Sequence, residues 1–175
     1  GSVEAGFGAL ELVAAVAGPG SFMGVRVSVA AARGYAAALE RPAVGLDRSW
    51  ALALAQEPSA QPVVVQFGRG DRLSWRRFER AHEWTAGPLE MGDRAALEQA
   101  AVGSVIAGPG LECAPLWSAY GAMLAKAHAA HPLTDHSKWS EWRSGVGPAS
   151  PIYARPPDAA LPTRRPAPRI GASSA

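Results

Sequence analysis

Cysteine is almost absent. Cys113 stands alone, so no disulfide can form within this chain. A reduced, cytoplasmic setting is the expectation that follows. Long apolar runs are missing too. No stretch of about 18 uncharged apolar residues occurs, so no membrane-spanning helix is expected. The opening residues show neither a basic segment nor a long apolar one, and no secretion signal is read there. A strong excess of one charge is also lacking. Lys and Arg number 17 against 15 Asp and Glu, a net +2 over 175 residues. The surplus belongs to the last residues, where Arg155, Arg164, Arg165 and Arg169 face only Asp158. Such a tail can meet RNA phosphates, whereas the near-neutral body gives no general attraction for nucleic acid.

Alanine is plentiful, at 37 of 175 residues within a hydrophobic fraction of 48%. That fraction is too high for a disordered chain. With so little side-chain bulk, packing has to rely on close backbone approach. Residues 11–17 form a short apolar run closed by Gly18-Pro19-Gly20, which reads as a buried strand. Ser21 can cap a helix over 22–39, where Phe22, Val25, Val29, Ala32, Ala36 and Leu39 recur at steps of three and four. Arg41 is placed in the last turn of that helix, where it would suit the dipole, and Pro42 ends it. Residues 43–46 read as a second buried strand and 49–56 as a second helix. Strand, helix, strand, helix implies parallel pairing through a right-handed crossover. After Pro58 the pattern becomes a hairpin, with runs over 63–67 and 73–78 and a turn at 68–71. A helix over 92–101, a strand over 104–107 and an Ala-rich helix over 115–131 follow, and residues 132–150 read as loop. Ala-Gly-Pro-Gly occurs at 17–20 and again at 107–110, too short an echo to make a repeat.

The motif with most chemical content runs from Ala17 to Arg26. A glycine-rich turn between strand and helix directs backbone N–H groups at one spot and can hold an anion. Gly18, Gly20 and Gly24 have the spacing GxGxxxG, which is neither the dinucleotide fingerprint nor a P-loop. A tight structural turn is therefore favoured, and a nucleotide-binding or hydrolytic use of residues 18–24 is the alternative. The helix that follows is covered by Ala30, Ala31, Ala32, Gly34, Ala36, Ala37 and Ala38. Small residues on most of its circumference suggest a second body packing against it, and a partner protein is a candidate. His128, His131, Asp135 and His136 resemble a metal cluster but lack metal-site spacing, so they read as surface residues and no metal is expected. Arg69, Arg72, Arg76, Arg77 and Arg80 interleave with Trp75 and Phe78; a solvated strand face is the reading preferred over an RNA platform. Cys113 has no evident His partner, and no catalytic triad or carboxylate pair is visible.

Three segments in order carry a family resemblance. They are Ala17-Gly18-Pro19-Gly20-Ser21-Phe22-Met23-Gly24-Val25-Arg26, then Pro42-Ala43-Val44-Gly45-Leu46, then Pro151-Ile152-Tyr153-Ala154-Arg155-Pro156-Pro157. This order resembles the TsaB family, also called YeaZ, with its GPGSFTGxR turn, PVVGV strand and P-hydrophobic-YLR signature. Met23 takes the place of the usual Thr, and Ala154 that of the usual Leu. The resemblance implies an α/β, actin-like fold of two ribonuclease-H-like subdomains. The first would cover residues 1–58 and be shortened, because the family's opening AIDTS-type strand, meander and helix have no counterpart here. The second would cover 59–155; the tail over 156–175, rich in Pro, Ala, Ser and Arg, reads by its composition as mobile. The resemblance also implies a non-catalytic subunit without a cofactor, acting in threonylcarbamoyladenosine synthesis beside the tRNA anticodon. It would bind and activate the catalytic subunit TsaD, with the ATPase TsaE joining them and tRNA met indirectly, or it would form a homodimer. The interface helix would be 22–39, with Phe22, Val25, Arg26, Val29 and Arg33 as contact residues and Gly18, Gly20, Ser21 and Gly24 as the structural loop.

Overall fold

The computed structural model describes residues 9–56, 61–108, 114–130, 132 and 141–154, without the side chains of Arg69, Ala114 and Pro115. The chain alternates strand and helix as its apolar patterning requires. β1 (Val13–Gly18) leads through the glycine turn into α1 (Phe22–Leu39), and β2 (Ala43–Asp47) leads directly into α2 (Arg48–Leu54). β1 and β2 pair in parallel, with Val13 beside Ala43 and Val16 beside Leu46. α1 lies across this pair and buries Val25, Val29, Ala32 and Ala36 against it. Its start is fixed by Ser21, in extended conformation, whose Oγ accepts from the Gly24 N–H at 3.1 Å. Its end comes at Glu40, which turns left-handed at φ 52° and bonds back to the Ala36 and Ala37 carbonyls. Arg41 therefore lies beyond the helix and not in its last turn.

The second sheet is built from β3 (Val63–Arg69), β4 (Arg72–Arg80), β5 (Trp84–Gly92) and β6 (Val105–Ala107), in spatial order β5-β4-β3-β6. β3 and β4 form a hairpin around Gly70-Asp71, with Arg69 opposite Arg72. β5 extends this hairpin into a meander that the sequence reading did not anticipate. β5 is an edge strand, and Gly87-Pro88 stand at an irregularity in its pairing opposite Arg77, between the Phe78–Ala86 and Arg76–Leu89 pairs, where a proline is tolerated. α3 (Arg94–Ala100), capped by Asp93, covers one face, and α4 (Ala114–Ala130) covers the other. The region read as loop over 132–150 contains β7 (Val146–Pro148), which returns to the first sheet and pairs antiparallel with β2. The first sheet is thus β1-β2-β7, with β2 at its centre. Residues 109–113, with Cys113 and part of the second Ala-Gly-Pro-Gly, lie outside the described residues, as do His131, Asp135, His136 and the tail.

One apolar cluster spans both sheets. Val44, Leu46 and Val146 of the first sheet meet Val63, Val65 and Phe78 of the second, with Leu52 of α2 and Met123 of α4 between them. Beside it stands a buried polar joint. Asp47, 3% exposed, ends β2 and caps α2: its Oδ1 accepts from the Ser49 N–H at 2.7 Å and from Ser49 Oγ at 2.5 Å. Its Oδ2 accepts from Arg76 Nη1 of β4 at 2.8 Å, so one carboxylate ties the two sheets. Burial pushes the Asp47 carboxyl above the ordinary carboxylate range, and the Ser49 hydrogen bonds and the Arg76 charge oppose that shift.

Two pairs of predictions follow from this packing. A Cβ at Gly45 would stand 2.5 Å from the Pro148 carbonyl oxygen and 2.8 Å from the Trp142 ring. Gly45→Ala should cost about 1–3 kcal/mol in urea unfolding. Gly34, mid-helix with nothing within 4 Å, behaves oppositely, and Gly34→Ala should gain about 0.5–1 kcal/mol. Arg76→Met strands a buried carboxylate, and the loss should be about 3 kcal/mol at neutral pH, near the low end because Arg76 is 18% exposed. A carboxyl with a raised folded-state pKa supports stability at low pH and loses that support as pH rises through the folded pKa. Without Arg76 that pKa rises further, so the deficit of Arg76→Met should shrink as urea titrations move from pH 7 toward pH 5.

Candidate functional site

The glycine turn is shaped by what packs against it. Gly18 has φ 116°, and a Cβ there would collide with the Ile152 carbonyl oxygen. The Ile152 N–H in turn donates to the Ala17 carbonyl at 2.7 Å. Pro19 is fully buried. Gly24 leaves room for Ser21 to close on it, since a Cβ at 24 would sit 2.6 Å from Ser21 Oγ. Gly20 is exposed, and a Cβ on it would come within 3.2 Å of Val25. The N–H groups of Gly24 and Val25 are both used internally, by Ser21 Oγ at 3.1 Å and the Ser21 carbonyl at 3.0 Å. Tyr153 completes the arrangement by packing on Phe22, with ring centroids 5.0 Å apart, and the Arg26 guanidinium covers the same Phe22 ring at 5.0 Å. Two sequence motifs more than a hundred residues apart therefore form one local structure.

Beyond the turn, α1 has two unlike sides. Val25 and Val29, expected as contact residues, are 6% and 2% exposed and face the chain's own sheet. The stripe read from the sequence is the packed side of the helix. At about 100° per residue, Met23, Val27, Ala30, Gly34 and Ala38 run along the opposite side. All five are exposed, Met23 at 66% and Val27 at 61%, and none is charged or polar. Arg26 and Arg33 line one border of this stripe, both exposed, and Tyr35 at 64% exposure lines the other. Phe22, half-buried under Arg26, stands at the N-terminal end of the arginine border. Sequence reasoning missed Met23 and Val27. The available signal was the gap in charge at 23, 27, 30, 34 and 38, opposite the periodic stripe.

Three arginines of β4 make contacts within the fold. Arg76 holds Asp47, and Arg77 donates through Nη1 to the Ala100 carbonyl at 3.0 Å and to Ser104 Oγ at 2.8 Å. Arg80 lies over the Trp84 ring at 5.8 Å. His128 is exposed near the end of α4. Among the described residues no group of His, Cys, Asp and Glu is placed to hold a metal ion, and no helix is long and apolar enough to cross a membrane.

Residues 2–83, a little under half of the chain, match the family model of TsaD, the tRNA N6-adenosine threonylcarbamoyltransferase. No curated protein matches this chain. Among solved structures, YeaZ from Pseudomonas aeruginosa is similar with a TM-score of 0.53 and 20% identity, over 84% of this chain and 76% of that one. A second structure, described as an uncharacterized protein with similarity to peptidase YEAZ from Pseudomonas aeruginosa, has a TM-score of 0.51 and 20% identity, over 86% of this chain and 76% of that one. The resemblance carried by the glycine turn is thus met again in the fold: this chain has the mixed α/β, actin-like fold of YeaZ.

Proposed function

We propose that the chain is a non-catalytic partner subunit in threonylcarbamoyladenosine modification of tRNA, and that it binds a TsaD-like catalytic subunit through the outer side of α1. One observation carries this reading. Met23, Val27, Ala30, Gly34 and Ala38 form an exposed stripe without charge, on a helix whose other side is already packed. An isolated apolar residue on a surface needs no explanation, but a contiguous stripe marks a contact surface. Its smoothness suits a second helix approaching at close distance, with Arg26 and Arg33 as a polar border. The match of residues 2–83 to the TsaD model and the YeaZ fold give the reaction context. Binding would act by favouring the partner's active arrangement, which requires no chemistry from this chain. A TsaE-like ATPase would join the pair, tRNA would be met through the complex, a homodimer would use the same stripe, and the compartment would be the cytoplasm. Ser21 Oγ takes the Gly24 N–H, one of the donors an anion at this helix start would use.

Val27→Arg and Gly34→Arg each put a charge on the stripe without touching the packed side. Both should weaken co-purification with TsaD at least about tenfold, with the thermal midpoint held near that of the parent chain. Binding by both variants at parental affinity would overturn the proposal.

A further inference from the structure

A cleft of about 370 Å³ opens between the two sheets. That volume lies near the lower end of the range for small-molecule sites, about 300–1,000 Å³. Trp50 and Trp142 contribute aromatic walls, and Arg76 and Asp47 contribute a charged one. The walls are preformed. Trp50 is set edge-on to Phe78, with centroids 5.2 Å apart and an interplanar angle of 79°. Trp142 is seated over two glycines, where a Cβ at Gly45 or Gly147 would approach it to 2.8 or 2.6 Å. Ala86 also lines the cleft, with a side chain that takes up little of its volume.

The charged wall is unevenly used. Arg76 Nη1 meets Asp47 at 2.8 Å and lies 3.4 Å from Ser49 Oγ. Its Nε is buried with no hydrogen-bond partner. Among the described residues no acceptor takes its Nη2 either. A guanidinium carries five donors in a fixed fork, and this one is pinned at a single corner. Its orientation is therefore set while the Nη2 donors, not the buried Nε, remain for an acceptor in the cleft, and a carboxylate there would make a charge-assisted hydrogen bond.

We propose that this cleft binds a small planar aromatic carboxylate, with its ring between the faces contributed by Trp50 and Trp142 and its carboxylate on Arg76. The ligand has one or two rings, since the volume is small for a nucleoside triphosphate. The site is separate from the outer side of α1, so it stands or falls independently of the docking proposal.

The test uses 2-naphthoate, with 2-naphthamide as the uncharged analogue of the same shape. Titration is followed by calorimetry and by the indole N–H signals of Trp50 and Trp142. Saturable binding is expected, with naphthamide weaker by at least about tenfold. Ala86→Phe fills the cleft without altering Arg76 or Asp47 and should weaken naphthoate by a similar factor. Ala86→Asp opposes the carboxylate by charge and gives the same loss with less added bulk than phenylalanine, which covers the case in which the phenylalanine variant does not fold. No saturable shift of the two indole signals, equal binding of the amide, or undiminished binding in the Ala86 variants would overturn the proposal.

Discussion

Asp47 stands where three pieces of the chain have to agree. It ends the central strand of the first sheet, caps the helix that crosses to the second, and receives an arginine from that second sheet. A carboxylate this deeply buried is tolerated only when its oxygens are satisfied, so each of its contacts constrains the others. Ser49 fixes where α2 begins, and Arg76 fixes how β4 lies relative to β2. The apolar cluster between the sheets supplies most of the driving force, but apolar contacts tolerate sliding. The Asp47–Arg76 pair gives that contact one register, and it leaves the cleft bounded by two tryptophans as a consequence.

The same economy governs α1. The turn that launches it needs glycine at 18 because the Ile152 carbonyl occupies the place of a side chain, and glycine at 24 because Ser21 closes there. Tyr153 then packs on Phe22, so the end of the described chain holds the beginning of the helix. With α1 fixed at its start and along its inner side, its outer side is rigid and free of charge. Rigidity matters for the proposed docking role, because a surface already ordered loses little conformational entropy on association.

Much of this was legible in the sequence. The parallel β1–α1–β2 unit followed from two short apolar runs and a stripe at steps of three and four, and Ser21 marked the helix start. β5 and β7 were hidden because edge and return strands tolerate Gly87, Pro88, Gly147 and Pro148, which read locally as turn residues. The Asp47–Arg76 contact joins residues 29 apart through the packing of two sheets, and no local pattern announces it. The side of α1 open to a partner was misjudged at Val25 and Val29 for a physical reason. Both sides of the helix consist of small apolar residues, so hydrophobic contrast does not tell inside from outside. The larger side chains Val25 and Val29 sought the sheet, and the gap in charge lay on the other side.

The docking claim is tested most directly by methionine oxidation. Met23 and Met91 are exposed to similar degrees, 66% and 61%, whereas Met123 is 3% exposed. Met23 lies on the outer side of α1, and Met91 lies on β5 in the second sheet. Dilute peroxide converts exposed methionine to the sulfoxide, which peptide mass spectrometry counts residue by residue. In the presence of TsaD, oxidation of Met23 should slow severalfold while that of Met91 stays unchanged and Met123 remains slow in both conditions. A complex that forms with Met23 oxidised as fast as in the free chain would contradict the account.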